Sequence, residues 1–401
     1  MSEPFGSSEY VNTFRFIHSS DLQLGMTRKF LRSEAQSRFD DARLRAVERL
    51  GQVATEHDAD CIVIAGDVFE HNALERETLG RALEVLKRLP VPVYLLPGNH
   101  DPLVADSIFY ATDDLENVHV LDSFDPVEVV PGVELVGAPL KARYASEDLC
   151  ARAARDLEPT DRIRVLVGHG QVDGYGKEQT EALIDLDLLE EKLASGVIDY
   201  VALGDTHSTQ SLGTSGRVWF SGSPETTDFH DFAIGGPGGG GEVDSGNTLV
   251  VEITKSSTED CVVNVEPVET GAWTFEALDW EVSDEGDVER IVEQLERYEH
   301  KDRTVVKYSV RGTLGLAAMA TFEQAIGRLE PVFAALYERE RLMSLHLAPS
   351  DDELENLPLS GYAAEAMRDL ISQASAHDDA KGSATARDAV NLLFRFSKEV
   401  N

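Results

Sequence analysis

The chain has 401 residues, enough for two or three domains with cores of their own, and its 73 Asp and Glu against 36 Lys and Arg give a formal net charge of -37. No apolar run approaches membrane-spanning length and no basic stretch precedes an apolar one at the N-terminus, so neither a membrane span nor a secretory leader is expected, and the expected location is the cytoplasm. Cys61, Cys150 and Cys261 stand far apart without paired spacing, which argues for reduced structural cysteines and against a disulfide framework or a zinc knuckle.

From Phe14 the pattern runs strand, helix, strand, helix, strand. Phe14-Arg15-Phe16-Ile17-His18 is a β-like run that ends on Ser20 and Asp21, and residues 38–56 carry Phe39, Ala42, Leu44, Val47, Leu50 and Val53 at mostly helical spacing. Cys61-Ile62-Val63-Ile64 predicts a second strand ending at Asp67. Residues 78–89 predict a helix through Leu79, Leu83, Val85 and Leu86, stopped by Pro90 and Pro92. The strand Val93-Tyr94-Leu95-Leu96 runs into Pro97-Gly98-Asn99-His100-Asp101. Short strands at 118–121, 127–130 and 133–137 suggest a second sheet, followed by a helix at 149–156. Val165-Leu166-Val167-Gly168 then leads to His169, and Tyr200-Val201-Ala202-Leu203-Gly204 leads to Asp205 and His207.

Residues 234–246 are glycine-rich and read as a surface loop before a strand at 248–253. A new unit begins near Trp273, with a helix about 287–298, a strand 304–310 and a helix about 319–338, together a smaller α/β cap. Beyond Pro349 the chain is acidic and helical, with helices at 361–375 and 384–399. Val390, Leu393 and Phe394 fall near one face of the last, which either folds onto its own domain or docks a partner.

In layered α/β architectures, ligands collect beyond the carboxyl ends of the strands, so these polar residues converge on one place. Carboxylate, amide oxygen and imidazole together suggest divalent metals. A bridging Asp with separate ligands on either side holds two ions about 3.5–4 Å apart and clamps both oxygens of an in-line phosphoryl displacement. The implied chemistry is phosphoester hydrolysis. A lone Gly-Asp after a strand is ordinary turn chemistry, so the weight lies in the ordered set, with Gly98-Asn99-His100-Asp101 its most distinctive member. His18 and His119 read as structural, and His71 as either a cleft wall or surface.

These motifs resemble the calcineurin-like metallophosphoesterase superfamily, in particular its SbcD-like DNA-repair exonuclease branch, the nuclease component of the double-strand-break repair complex. The resemblance covers about residues 14–229 through Asp21-Leu22-Gln23-Leu24-Gly25, Gly66-Asp67-Val68-Phe69, Pro97-Gly98-Asn99-His100-Asp101, Val167-Gly168-His169-Gly170 and Gly204-Asp205-Thr206-His207. It implies a four-layer α-β-β-α sandwich over 13–268, a smaller α/β cap domain over 269–350 and a C-terminal helical segment over 351–401. Carried over by residue, Asp21, Gln23, Asp67 and His207 surround one metal, and Asp67, Asn99, His169 and Asp205 the second. His100 is expected beside the scissile phosphate with Asp101 orienting its imidazole, and a hydroxide bound by both metals is the expected nucleophile.

Two positions depart from the family, which normally has His where Gln23 and Asp205 stand. Oxygen in place of nitrogen makes a harder site, suited to manganese first and magnesium second in preference to zinc. Three carboxylates hold cations firmly but leave a bridging water harder to deprotonate, so catalysis is expected to be slower without being lost. By resemblance, the partners are DNA, an SMC-type, SbcC-like ATPase and, in some members, a second copy in a homodimer; no membrane is involved.

An acid excess spread along the whole chain fits either the cytoplasmic protein of a salt-loving organism or a mesophilic protein that avoids polyanions. In about 1 M salt the Debye length is about 3 Å, so distant carboxylates barely oppose DNA and local contacts decide. Arg28, Lys29 and Arg32 either supply such contacts or form an ordinary charged turn. The alternatives are a phosphodiesterase for a small substrate, against which the cap and C-terminal region argue, and a weakly active scaffold for the ATPase, which Gln23 and Asp205 keep open.

Overall fold

The computed structural model describes residues 12–175, 182–234, 239–350 and 361–374, with residues 353, 359, 385–386, 389–390 and 392–394 besides. The chain divides into two compact units. The first holds residues up to Lys29 and Gln36–Trp273; the second holds Phe30–Ala35 and the chain from Thr274 onward.

In chain order the first unit contains β1 (Asn12–Ser19), α1 (Ser33–Glu56), β2 (Cys61–Ile64), α2 (Arg76–Lys87), β3 (Val93–Leu95), β4 (Val118–Val120), β5 (Val127–Val130) and β6 (Val133–Gly137). There follow α3 (Leu149–Ala154), β7 (Ile163–His169), α4 (Leu186–Ala194), β8 (Tyr200–Gly204), β9 (Gln210–Leu212), β10 (Val218–Phe220), the two-residue strands β11 (His230–Asp231) and β12 (Gly240–Gly241), β13 (Asn247–Ser257) and β14 (Asp260–Glu269).

One six-stranded sheet has the order β14-β13-β1-β2-β3-β4 and another β5-β6-β7-β8-β10-β9. β1 to β4 run parallel, as do β6, β7, β8 and β10, so the ligand-bearing loops leave each sheet at one end.

Side-chain alternation along the strands creates the layers. Phe14, Phe16, Cys61 and Val63 from the first sheet meet Val165, Val167, Tyr200 and Ala202 from the second in a core between the sheets. The alternate residues face outward. Ile17, Ile62 and Ile64 pack on Val47, Leu50, Val53 and Leu86 of α1 and α2, while Leu166, Val201 and Leu203 pack on Ala153, Leu189 and Leu193 of α3 and α4. This is the four-layer α-β-β-α sandwich that the sequence implied. Apolar residues at nearly every strand position are what covering both faces of a parallel sheet requires. Cys61 and Cys150 are buried, Cys261 is half-buried, and all three are free thiols.

The second unit contains β15 (Thr274–Val282), α5 (Glu285–Glu296), β16 (Thr304–Leu314), α6 (Leu316–Leu329), β17 (Ala335–Glu338), β18 (Ser344–Leu347) and α7 (Tyr362–Ala374). β15, β17 and β18 all pair parallel to β16, and α5 starts on a capping box between Asp284 and Asp287. The single helix expected over 319–338 is corrected: it stops at Leu329, before Pro331, and Ala335–Glu338 is a strand. β9, β10, β11, β12, β14, β15 and β18 have no counterpart among the strands expected from the sequence.

Much of the expected helix 384–399 lies outside the described residues. Within it, Val390 and Phe394 are buried in the second unit's core with Met367 of α7, which favours folding onto its own domain. Among the described residues, no helix is long and apolar enough to cross a membrane.

Leu166 is fully buried on β7 just ahead of His169. Leu166→Ala should destabilise the first unit by about 2–5 kcal/mol, read as a lower denaturant midpoint in urea melts.

Candidate metal centre

The ligand candidates sit where the chain turns sharply off its strands, and the backbone there is strained. Among the described residues, six non-glycine residues have a positive φ. Four of them are Asp21 (+53°), Gln23 (+40°), Asp67 (+52°) and Asp205 (+101°). A left-handed conformation costs an L-residue about 1–2 kcal/mol, so something must hold each one. The loops after β1 and β2 brace each other: Asp21 N–H donates to Gly66 O (3.0 Å), Gln23 N–H to Asp67 O (2.9 Å) and Leu24 N–H to Val68 O (2.9 Å). Asp205 N–H lies 3.2 Å from both carboxylate oxygens of Asp21, joining the second sheet's loop to the first's.

Two glycines leave room for this crowding. A Cβ on Gly98 would stand 2.1 Å from Asp67 Oδ1, and one on Gly66, at φ +94°, would stand 2.1 Å from His169 Nδ1.

Asp21, Asp67 and His169 each offer a ligand atom within 4.8 Å of the others, and all three are buried. His169 Nδ1–H donates to Ala65 O (2.8 Å), so Nε2 faces the site, 2.8 Å from Asn99 Oδ1, 3.3 Å from Asp67 Oδ1 and 3.8 Å from Asp205 Oδ1. On the other side, His207 Nε2 lies 3.8 Å from Asp21 Oδ1 and 3.1 Å from the Gln23 amide nitrogen. The expected ligands therefore gather in one cluster, with Asn99, Asp67 and Asp205 about His169 and Gln23 and Asp21 about His207.

The chemistry of this donor set fits cations. Burial pushes up the Asp21 and Asp205 carboxyls, which the neighbouring histidines offset only in part. Burial also opposes ionisation of Asp67, but His169 and the His100 backbone N–H hold it at about 2. Both imidazoles are pulled the other way: burial disfavours their charged forms, yet Asp67 for His169, and Glu242 and Asp21 for His207, raise them above the usual value. Three carboxylates share two imidazoles, so the cluster is short of positive charge. Gln23 Oε1 gives a second indication, being buried without a hydrogen-bond partner among the described residues, as suits an oxygen meant for a cation.

Sequence reasoning missed Glu242. Its Oε1 accepts from His207 Nδ1–H (2.8 Å), fixing the tautomer that presents Nε2 inward, and Thr227 donates to the same carboxylate through its backbone N–H (2.9 Å) and its hydroxyl. Burial would raise Glu242, but its bond to His207 brings it down to about 2. Glu242 lies 35 residues beyond His207, within the glycine-rich stretch, and no local spacing marks it.

Asp101 differs from the expectation that it orients His100. Its carboxylate accepts instead from Gly98 N–H (2.8 Å) and Phe69 N–H (2.9 Å), pinning the two ligand loops together, and burial followed by the nearby Asp67 charge raises it to about 7. The partner of the His100 ring is Glu70, whose carbonyl accepts from Nδ1–H at 3.0 Å, leaving Nε2 on the side away from Glu70. His18 is structural, as expected, between the Tyr200 hydroxyl (3.0 Å) and Leu203 O (3.2 Å); His119 is exposed and lies against Tyr94, and His71 is exposed. Of the basic residues after the first motif, Arg32 pairs with Glu330 and Lys29 is exposed.

Residues 14–209 match the family described as calcineurin-like phosphoesterase. The chain is 26% identical over 242 residues to the DNA double-strand break repair protein Mre11 of Archaeoglobus fulgidus, covering 54% of this chain and 51% of that protein. It is 27% identical over 325 residues to the protein of the same name from Haloferax volcanii, covering 79% and 66%. To the SbcD component of the SbcCD nuclease of Staphylococcus epidermidis it is 22% identical over 239 residues, covering 52% and 60%. The chain thus spans between about half and two thirds of the length of these relatives.

Replacing Glu242 by Ala should weaken divalent-metal binding about 10–100-fold, seen as a raised Kd in manganese titration calorimetry of the metal-stripped protein.

Proposed function

We propose that the chain, whose residues 14–209 match the calcineurin-like phosphoesterase family, is a two-metal DNA nuclease that hydrolyses phosphodiesters in double-strand-break repair beside an SMC-type ATPase. The observation that carries the reading is the gathering of Asp21, Gln23, Asp67, Asn99, His169, Asp205 and His207 at neighbouring strand ends of two sheets. The printed functions of the relatives, break repair and a nuclease, support DNA as the substrate.

Asp21, Gln23, Asp67 and His207 would hold one ion, and Asp67, Asn99, His169 and Asp205 the other. When bound, two divalent ions supply Lewis acidity, activating water and neutralising charge on the phosphoryl group. His100, half-exposed at the edge of the cluster with Nδ1 held by Glu70, presents Nε2 to a substrate, where its proton can pass to the leaving oxygen. Asp101 keeps the loop carrying Asn99 and His100 locked to the loop carrying Asp67. The oxygen-rich set favours manganese, then magnesium, over zinc.

The test is cleavage of linear duplex and single-stranded DNA in high salt with manganese. Asp67→Asn should abolish it and His100→Ala should lower kcat about 10²–10⁴-fold. Absence of DNA cleavage with any divalent metal, alongside hydrolysis of bis(p-nitrophenyl) phosphate, would turn the reading to a small diester.

The double variant Gln23→His, Asp205→His restores the nitrogen ligands usual in the family and should shift the metal preference from manganese toward zinc, measured as the ratio of the two Kd values. An unchanged ratio would remove the hard-site argument.

A further inference from the structure

Arg43 of α1 is a buried guanidinium with unused donors. It is 3% exposed; one terminal nitrogen donates to Leu22 O, between Asp21 and Gln23, and its face lies over the Phe39 ring at 5.5 Å. Its Nε and Nη1 are buried and have no hydrogen-bond partner among the described residues, and Arg28 Nε, on a guanidinium close enough to repel Arg43, is a third such donor. Buried donors of a charged group left unmatched are costly, and native proteins seldom keep them without a ligand. This chain has 73 Asp and Glu from which to draw a partner.

Arg43 lines a cleft of about 490 Å³ whose other walls include Gly25, Thr27, His71, Thr78 and Arg81. The walls continue the two loops that carry Gln23 and Asp67, so the cleft opens off the segments that build the metal cluster. Leu24, Leu44 and Leu74 give it an apolar side that suits a sugar. Asp40 also lines it, but its carboxylate is engaged by Gln36 Nε2 at 2.7 Å, and Glu75 adds a second acidic group at the wall.

We infer that this cleft is an anion subsite in which Arg43, assisted by Arg81, takes a phosphate of the nucleic-acid strand other than the one being cut. The inference rests on the nuclease reading for its ligand and, for its place, on the two Arg43 donors that lack a partner among the described residues, although Glu225, Glu242 and Glu70 also act on its charge. Tethering a second phosphate favours a polynucleotide over a small diester.

The experiment is binding in EDTA, so that no catalysis intervenes, at fixed high salt. The full chain is titrated into a fluorescein-labelled single-stranded oligothymidylate and Kd is read by anisotropy, with inorganic phosphate as a separate ligand read by its shift of the melting temperature. Arg43→Gln should raise the oligonucleotide Kd at least about tenfold, Arg81→Gln should raise it by a smaller factor, and both should lose the stabilisation by phosphate. If Arg43→Gln fails to fold, as its melting curve will show, Arg81→Gln and His71→Ala decide.

Wild-type binding of the oligonucleotide with Kd unchanged in the folded variants overturns the subsite and leaves the nuclease reading standing. Phosphate stabilisation lost in the variants, with no oligonucleotide binding by the wild type, keeps the subsite as a pocket for free phosphate and overturns its assignment to a nucleic-acid strand. Neither ligand binding overturns it altogether.

Discussion

The site depends on the closure of two sheets at one edge, and the bond that fixes that closure is His169 Nδ1–H to the Ala65 carbonyl, 2.8 Å across the seam. It ties the end of β7 to the turn after β2, sets which imidazole nitrogen faces inward, and brings Nε2 within 3.3 Å of Asp67. The second tie, Asp205 N–H to the Asp21 carboxylate, repeats the arrangement one strand over. Both need very close backbone approach. That is why glycine at 66 and 98 is a steric requirement there, since a methyl group would occupy the space of a ligand atom.

The layered fold was legible because covering both faces of a parallel sheet leaves a plain record in the sequence. Ile62 and Cys61, or Leu166 and Val165, are apolar neighbours that point into different cores. The ligand order was legible for a related reason: each ligand follows its strand within a few residues. What failed to show was whatever the chain supplies from a distance. Glu242 reaches His207 by tertiary folding alone, and the partner of the His100 ring is a backbone carbonyl, which no side-chain pattern can announce. Asp101 looked like a partner for His100 because it is adjacent in sequence, but its carboxylate turns to the Phe69 and Gly98 amides, where it satisfies two buried donors at once. The segment 335–338 has helix-forming composition, and pairing with β16 overrides it.

Charge acts on two scales in this molecule. The net charge of -37 sets a long-range field that salt screens, whereas the buried carboxylates and guanidiniums near the seam act over a few ångströms, where screening is weak. Arg43 and the ligand carboxylates stand near each other with opposite sign, since Arg43 donates to the Leu22 carbonyl between Asp21 and Gln23.

The left-handed turns at Asp21, Gln23, Asp67 and Asp205 bear on how the centre responds to losing its ions. Their conformations are enforced by loop-to-loop backbone bonds and by interlocked glycines, so the donors are arranged before any ion arrives. Small metal-organised domains behave in the opposite way and unfold when chelated. Here the turns are braced by the polypeptide itself, so removing divalent ions should cost little shape, and the chain would remain folded as a mould for the donors.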